Sequence, residues 1–187
     1  MGSASYVGAT CSPVGPVTAW PVVELSGVRW HVAPVYLAPV ARRDVWAACD
    51  AWECELPTRE LVDAIWKAGT IRLEPSGLFR HPNDLANGAS MLAYLDQRNR
   101  IDRALDDAGF GPDDLVVGTH KDFAVVDGSR IDLYGWHTLA GKPIEPGRTS
   151  HNDAHVDYSQ GLRLVRRVGA PTLRPETWTP RALEVPS

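Results

Sequence analysis

The chain has 187 residues, of which 44% are hydrophobic and 22% charged, and its formal net charge at neutral pH is −4. This length suits one domain, or one domain with a short appendage, and is sufficient for a buried core. There is no run rich in Lys and Arg, so nucleic acid is excluded as a favoured partner. No apolar stretch approaches the roughly 18 residues that predict a membrane span.

The first 15 residues have neither a basic start nor an apolar segment, so we expect no classical signal peptide. We therefore expect a protein that is cytoplasmic when made, or one that is virion-associated or released on lysis. The three cysteines are irregularly spaced and form no zinc or redox motif. Cys49 falls on an apolar helix face and is expected in the core.

The first half of the chain predicts two strands and two helices. We expect a short strand at Val22–Leu25, followed by a β-prone segment, Val28–Leu37, which Pro34 interrupts and places at a sheet edge. Pro39–Trp52 predicts a helix because its apolar residues recur at helical spacing. A second helix is predicted from an N-cap at Thr58 to a stop at Gly69, and its buried stripe would be Leu61, Val62, Ile65 and Trp66.

The middle of the chain predicts a brief strand at Ile71–Leu73 and then a loop, Pro75–Gly88, rich in Pro, Gly and Asn. A third helix is expected from a cap at Ser90 to Ala108, with Gly109 as its stop. From Leu115 onwards the pattern changes to short strands separated by turns. The predicted strands are Leu115–Gly118, Phe123–Val126, Arg130–Trp136 and Val156–Arg166.

Two short segments between these strands contain turn residues. Asp127-Gly128 is typical of a hairpin turn. Gly141–Gly147, with Pro143 and Pro146, is predicted to be a rigid loop.

Helices in the middle and strands at the end predict an α+β fold, with the helical middle section packed on a mostly antiparallel C-terminal sheet. We expect a single domain over residues 1–187. Its parts would be an irregular N-terminal arm (1–27), a strand and helical part (28–110), a β-rich part with the candidate site (111–168) and an extended tail (169–187).

Four of the six histidines, His120, His137, His151 and His155, fall in the C-terminal third. Glycines or other small residues adjoin most of them, which is typical of side chains presented at the mouth of a site. Three interpretations remain open: a metal site, metal-free catalysis, and a structural role without chemistry.

The metal interpretation uses His120, His137 and His151, which come from three different segments. Zinc in catalytic sites takes three such protein ligands and keeps an open fourth position. Zinc is therefore the candidate cofactor, although the sequence contains no HExxH motif that would assign it.

The metal-free interpretation uses His137 or His151 as a base, Asp122 or Asp157 as the orienting carboxylate, and Ser159 as a nucleophile. Together, the two interpretations give the candidate catalytic residues His120, Asp122, His137, His151, Asp157 and Ser159.

Four further residues are candidates for substrate binding. Trp136 could stack on a sugar, and Arg163 could bind a substrate carboxylate through two hydrogen bonds. Lys121 and Tyr158 complete the set. Each residue has a structural alternative, because a strand Trp is usually a core residue and Arg163 could equally pair with a nearby Asp.

The order of short motifs from Gly118 to Leu164 carries a family resemblance. This chain reads GTHKD, YGWH, GKPIEP, SH and DYSQGLRLV. It resembles a family of uncharacterised bacterial and phage-encoded proteins that reads GHKKD, YGWH, GKPIQP, H and DYSHGIRLV. The segment ELPTRELVDAIW is also similar to that family, so the resemblance covers about half the chain. It implies a grouping and not a reaction.

Ser159 to Arg163 is also similar to the catalytic motif of the L,D-transpeptidases, Ser-His-Gly-Cys followed by Ile or Val and Arg. Here Gln160 replaces the His, and the Cys is missing. Without the thiolate that family's covalent chemistry cannot run from this position. The likeness implies a peptidoglycan context.

Two functions follow as expectations. The first is a hydrolase that uses the His/Asp cluster to cleave amide or peptide bonds of peptidoglycan. The second is a non-catalytic component of a phage virion or injection apparatus, or a glycan-binding module. The expected partners are accordingly peptidoglycan or another glycan, or other virion proteins.

Overall fold

A computed structural model describes residues 16–38, 40–75, 91–128, 130–148 and 154–171. Helices and strands are both well represented, and the predicted α+β class is confirmed. The helices are α1 (Val45–Trp52), α2 (Arg59–Ala68) and α3 (Met91–Ala108). The strands are β1 (Val22–Leu25), β2 (Val28–Val32), β3 (Ile71–Arg72), β4 (Val116–Val117), β5 (Lys121–Asp127), β6 (Arg130–His137), β7 (Pro143–Arg148), β8 (Gln160–Gly161) and β9 (Val165–Arg167).

The largest sheet has the strand order β7-β6-β5-β8. β5 and β6 form an antiparallel hairpin, and its turn contains the predicted Asp127-Gly128, with Gly128 at a φ of 50°. β7 adds antiparallel to β6, whereas the short β8 runs parallel to β5. The C-terminal sheet is therefore mostly antiparallel, as predicted.

A second sheet has the order β1-β2-β9 and joins the two ends of the described chain. β2 lies in its middle, so the prediction of an edge strand is wrong. The reason is that Pro34 lies beyond the last residue of β2 and removes no hydrogen bond from the ladder. The predicted strand Val156–Arg166 is also divided into two, since β8 joins the large sheet and β9 joins this one.

Helix α2 packs against β1, β5 and β6 and so connects these two sheets. Its start is set by Thr58, whose Oγ1 accepts a 3.3 Å hydrogen bond from the amide of Leu61. The helix ends at Gly69, as predicted. The predicted stripe is buried, and all of it except Val62 belongs to one core cluster: Val23, Val32, Leu61, Ile65, Trp66, Leu115, Val117 and Val165.

Helix α1 begins at Val45, later than the predicted Pro39, because Ala41 is extended and a 3-10 turn occupies Arg42–Asp44. It ends where predicted, since Glu53 adopts a left-handed conformation with a φ of 50°. Its buried residues, Val45 and Cys49, join a second core cluster that includes Trp20, Ala33, Cys54, Leu56, Phe123, Ile131, Leu133, Leu162 and Leu164.

The segment predicted as a rigid loop, Gly141–Gly147, contains most of β7, so that prediction is wrong. β7 lies at the edge of the large sheet. Proline has no N–H group to donate, and an edge strand is the position in a sheet that tolerates residues such as Pro143 and Pro146. The register shifts where β7 opposes Leu133 and Tyr134, and Gly147 takes up the shift with a φ of 106°.

Helix α3 runs to Ala108, and Gly109 follows in a left-handed conformation, as predicted. The predicted loop Pro75–Gly88 lies outside the described residues except for Pro75, as do the predicted cap Ser90 and most of the tail. In the ranges that the structure covers, every helix is too short or too polar to cross a membrane.

Candidate active site

The end of β6 carries the Tyr-Gly-Trp-His segment in an unusual backbone conformation. Gly135 has a φ of 92° and Trp136 a φ of 50°, so two successive residues lie in the left-handed region. A bulky residue in this region is strained by about 1–3 kcal/mol and is held there by its surroundings. A Cβ at position 135 would lie 3.3 Å from Cε1 of His137, so the glycine allows this imidazole to fold back against the strand.

His137 is held by residues of α2. Its Nε2 lies 2.8 Å from Oδ1 of Asp63, and its ring stacks on Trp66 with centroids 5.3 Å apart and planes 13° apart. Asp63 and Trp66 are three positions apart on α2, so both reach the end of β6. The hydroxyl of Tyr134 also donates to Asp63, at 3.0 Å. Burial, followed by the bond to Asp63, raises the pKa of Tyr134 to about 12.

The Asp63–His137 pair lies at the boundary between solvent and the interior. The Asp63 side chain is 41% exposed, whereas that of His137 is 4% exposed. A carboxylate on one imidazole nitrogen fixes the tautomer and leaves the other nitrogen as a proton acceptor. The arrangement is that of an oriented general base.

Asp122 lies deeper, and its Oδ2 accepts a 2.8 Å hydrogen bond from the hydroxyl of Tyr36. Its other oxygen, Oδ1, is buried and has no hydrogen-bond partner among the described residues. Burial raises the pKa of Asp122 to about 7, against the opposing effects of Arg163 and the Tyr36 hydrogen bond. This carboxyl group can therefore carry a proton near neutral pH.

His120 is also buried, and its Nδ1 lies 2.9 Å from Oγ1 of Thr119. Its ring packs against Tyr36, with centroids 5.1 Å apart. Burial and the nearby charge of Arg163 lower the pKa of His120 to about 3, so the imidazole is neutral at physiological pH. Gly161 makes the space for it, because a Cβ there would lie 2.8 Å from Cβ of His120.

One small cavity brings His120, Asp122 and His137 together. It has room for about one water molecule, and a polar wall is what such a water requires. Trp136 also lines it, so three predicted catalytic residues and one predicted substrate-binding residue meet at one place. Its remaining lining consists of Tyr36, Val62, Ile65, Trp66, Val117 and Gly118.

Three other predicted residues, Lys121, Asp157 and Ser159, form a second group around the Asp157 carboxylate. The amide and hydroxyl of Ser159 donate to Oδ1 of Asp157 at 2.7 and 2.5 Å, which closes a local turn. Lys121 Nζ and His155 Nε2 each lie 3.7 Å from the second oxygen. Ser159 is fully buried, and its hydroxyl bonds a carboxylate instead of a histidine.

Lys121 and Tyr158 both contact Trp136. The Lys121 ammonium lies 5.4 Å from the centre of the Trp136 ring, and Tyr158 meets that ring edge-on at 6.3 Å. All three are buried. Three of the side chains predicted to bind substrate are therefore buried, with Trp136 in contact with the other two.

Arg163 is fully buried. Its two terminal nitrogens donate to the main-chain oxygens of Ala33 and Val116, each at 2.6 Å, and its guanidinium lies 3.8 Å from the centre of the Tyr36 ring. The donors that were predicted to bind a substrate carboxylate thus join separate segments of the protein's own chain.

The zinc prediction depends on three histidines, and one of them, His151, lies outside the described residues. Within the described part, no three His, Cys, Asp or Glu side chains are placed to hold a metal ion. His120 and His137 do line the same cavity. Zinc ligation by the three histidines stays a prediction.

Sequence reasoning missed Asp63 and Tyr36, the partners of His137 and Asp122. Asp63 occupies an ordinary polar position of an amphipathic helix, and Tyr36 lies in a β-prone segment 86 positions before Asp122. Neither carries a local signal, because each acquires its role only when distant segments pack together.

No protein-family model matches this chain, and no curated protein or solved structure shows significant similarity to it.

Proposed function

We propose that this protein is a hydrolase in which His137, oriented by Asp63, is the general base, and that it cleaves amide or peptide bonds of the bacterial cell wall. The hydrogen bond between Asp63 and His137 is the observation that carries the proposal. It is the orienting half of a catalytic triad, in which a carboxylate fixes the tautomer of the base.

Water is the proposed nucleophile, because the cavity beside His137 has room for about one. Nδ1 of His137 takes a proton from this water as its oxygen attacks the carbonyl carbon. The carbon–nitrogen bond then breaks as Asp122, protonated in part near pH 7, donates its proton to the leaving amine. Exchange with solvent then removes the proton from His137 and reprotonates Asp122. Zinc held by His120, His137 and His151 is the alternative way to activate the same water, and elemental analysis of the purified protein tests it.

The substrate class comes from the sequence. The similarity of Ser159–Arg163 to the L,D-transpeptidase motif favours peptidoglycan, and the family that the other motifs resemble consists of bacterial and phage-encoded proteins. In this proposal the protein meets its substrate from a virion or after lysis.

The test is the release of soluble fragments and new amino groups from purified peptidoglycan sacculi. We expect release by the wild type, none by His137→Ala, and a loss of about 100-fold or more in Asp63→Asn. His155→Ala is the matched control, because His155 contacts Asp157 and does not line the cavity. An inactive wild type, or an equal loss in His155→Ala, would refute the proposal.

The second candidate is a non-catalytic virion or glycan-binding module. It is favoured by the burial of His120, Asp122 and His137 and by a cavity too small for a substrate. Here the polar network would serve to specify the fold. Co-sedimentation with sacculi separates the two candidates, since this module would be retained without releasing any product.

A further inference from the structure

Helix α2 and strand β6 meet through successive polar contacts. Arg59 on the helix pairs with Asp132 on the strand. One turn further along, Asp63 bonds both Tyr134 and His137. Four helical positions rise about 6 Å, and two strand positions advance about 6.6 Å. Because these steps are nearly equal, the ion pair of Arg59 sets a register that brings Asp63 opposite Tyr134.

Tyr134 bonds both oxygens of the carboxylate that orients His137. Its hydroxyl lies 3.0 Å from Oδ1 and 3.2 Å from Oδ2 of Asp63. An ionised carboxylate only accepts hydrogen bonds, so the phenol is the donor. Nε2 of His137 lies 2.8 Å from the same Oδ1. The carboxylate of Asp63 is therefore held by two side chains of one strand.

The second donor matters because Asp63 lies at the surface. Its side chain is 41% exposed, so water competes for both carboxylate oxygens. The preference for any one rotation of an aspartate carboxylate about its own bond is weak. With His137 as its only partner, the carboxylate could turn towards water and release Nε2. The hydroxyl of Tyr134 opposes this turn, since it bonds both oxygens.

Tyr134 is itself fixed in place and remains a donor over a wide pH range. The guanidinium carbon of Arg59 lies 5.6 Å from the centre of the Tyr134 ring. Burial, followed by the bond to Asp63, raises the pKa of Tyr134 to about 12. The hydroxyl therefore keeps its proton throughout the range in which imidazoles titrate.

We propose that Tyr134 is a positioning residue, which holds Asp63 in the conformation that fixes the tautomer of His137. It acts through Asp63 and needs no contact with the substrate. Its effect on catalysis rests on the proposed function, whereas its effect on the tautomer of His137 does not.

The first test uses Tyr134→Phe, which removes the hydroxyl and keeps the ring beside Arg59. The tautomer of His137 is read from its ring nitrogen shifts in the 15N-labelled full chain, in alkaline buffer where histidine rings are normally neutral. The signals are assigned by their absence from His137→Ala. We expect the wild type to hold the proton on Nε2 and Tyr134→Phe to show a mixture of both tautomers. A folded Tyr134→Phe variant with the single wild-type tautomer would overturn the proposal.

The second test is the rate of release from sacculi, which should fall about tenfold in Tyr134→Phe, the worth of one hydrogen bond to a charged group. Tyr94→Phe is the matched control, because the hydroxyl of Tyr94 donates to the main-chain oxygen of Ala38 at 3.1 Å, on α3 and away from Asp63. It should keep the wild-type tautomer and rate, and equal effects of the two variants would refute the assigned role. If the wild type releases nothing, the proposed function fails, and the tautomer measurement still decides the role of Tyr134.

Discussion

The hydroxyl of Tyr36 donates to Asp122, and the guanidinium of Arg163 covers the face of the same tyrosine ring. The three side chains come from separate segments and are buried together. A carboxyl group, a phenol and a cation are thus buried side by side. Their charges should govern how stability depends on pH.

Asp122→Asn should change this pH dependence. The folded-state pKa of Asp122, about 7, lies above its ordinary value of 3.8, so its contribution to stability is complete below about pH 4 and is lost as the pH rises to 7. Relative to Asp122→Asn, the wild type should lose about 1–4 kcal/mol between pH 4.5 and 8 in urea unfolding.

His120 has the opposite effect, because its folded-state pKa of about 3 removes stability as the pH falls from 6.5. Wild type and variant both retain His120, so its contribution cancels in the comparison. Parallel stability curves for the two proteins would show that Asp122 titrates normally.

Arg163→Met should be strongly destabilising, because it leaves the buried main-chain oxygens of Ala33 and Val116 without their donors. We expect a loss of about 2–5 kcal/mol in the free energy of unfolding. Arg167→Met is the control, since Arg167 is exposed on β9 and lies over Trp30 at 5.9 Å, a contact worth about 1 kcal/mol or less. Similar losses in both variants would contradict the assigned role of Arg163.

Gly161→Ala should disturb the candidate site directly. The new methyl group would lie 2.8 Å from both Cβ of His120 and Cδ1 of Tyr36, which is closer than carbon atoms pack. We expect thermal unfolding to report a loss of about 1–3 kcal/mol. Gly111→Ala, whose nearest neighbouring atom would be 3.8 Å away, should be neutral or slightly stabilising. A Gly161→Ala variant as stable as this control would disprove the close approach.

Cys49 and Cys54 should resist alkylation in the folded protein. Both are buried, and burial raises the pKa of each thiol to about 12, so very little thiolate exists at pH 8. In a Cys11→Ser variant, iodoacetamide followed by mass spectrometry should label neither residue without denaturant and both in urea. Rapid labelling of the native variant would mean that these thiols reach solvent.

The fold was predictable where its determinants are local. The cap at Thr58, the stop at Gly69 and the stripe between them define α2 completely, because each signal lies within the helix itself. β7 was missed because its two prolines suit a loop and an edge strand equally, and only the pairing with β6 distinguishes the two.

The sequence predicted which residues lie at the candidate site, but not which groups they form hydrogen bonds with. The clustered motifs placed His120, Asp122 and His137 in one region, and all three line one cavity. Asp63 orients His137 only because α2 packs against β6. The guanidinium of Arg163 donates to main-chain oxygens only because the residue is buried. Neither property is encoded in neighbouring residues.

The pairing of β2 with β9 joins Trp30 to Arg167. During synthesis on the ribosome, β2 therefore emerges long before the strand that completes its sheet. β1 and β2 form only a two-stranded hairpin until then, which is marginal in water. This sheet can form only after β9, in the last third of the chain, has left the exit tunnel. Nascent chains that stop before Val165 should therefore remain targets for chaperones and proteases.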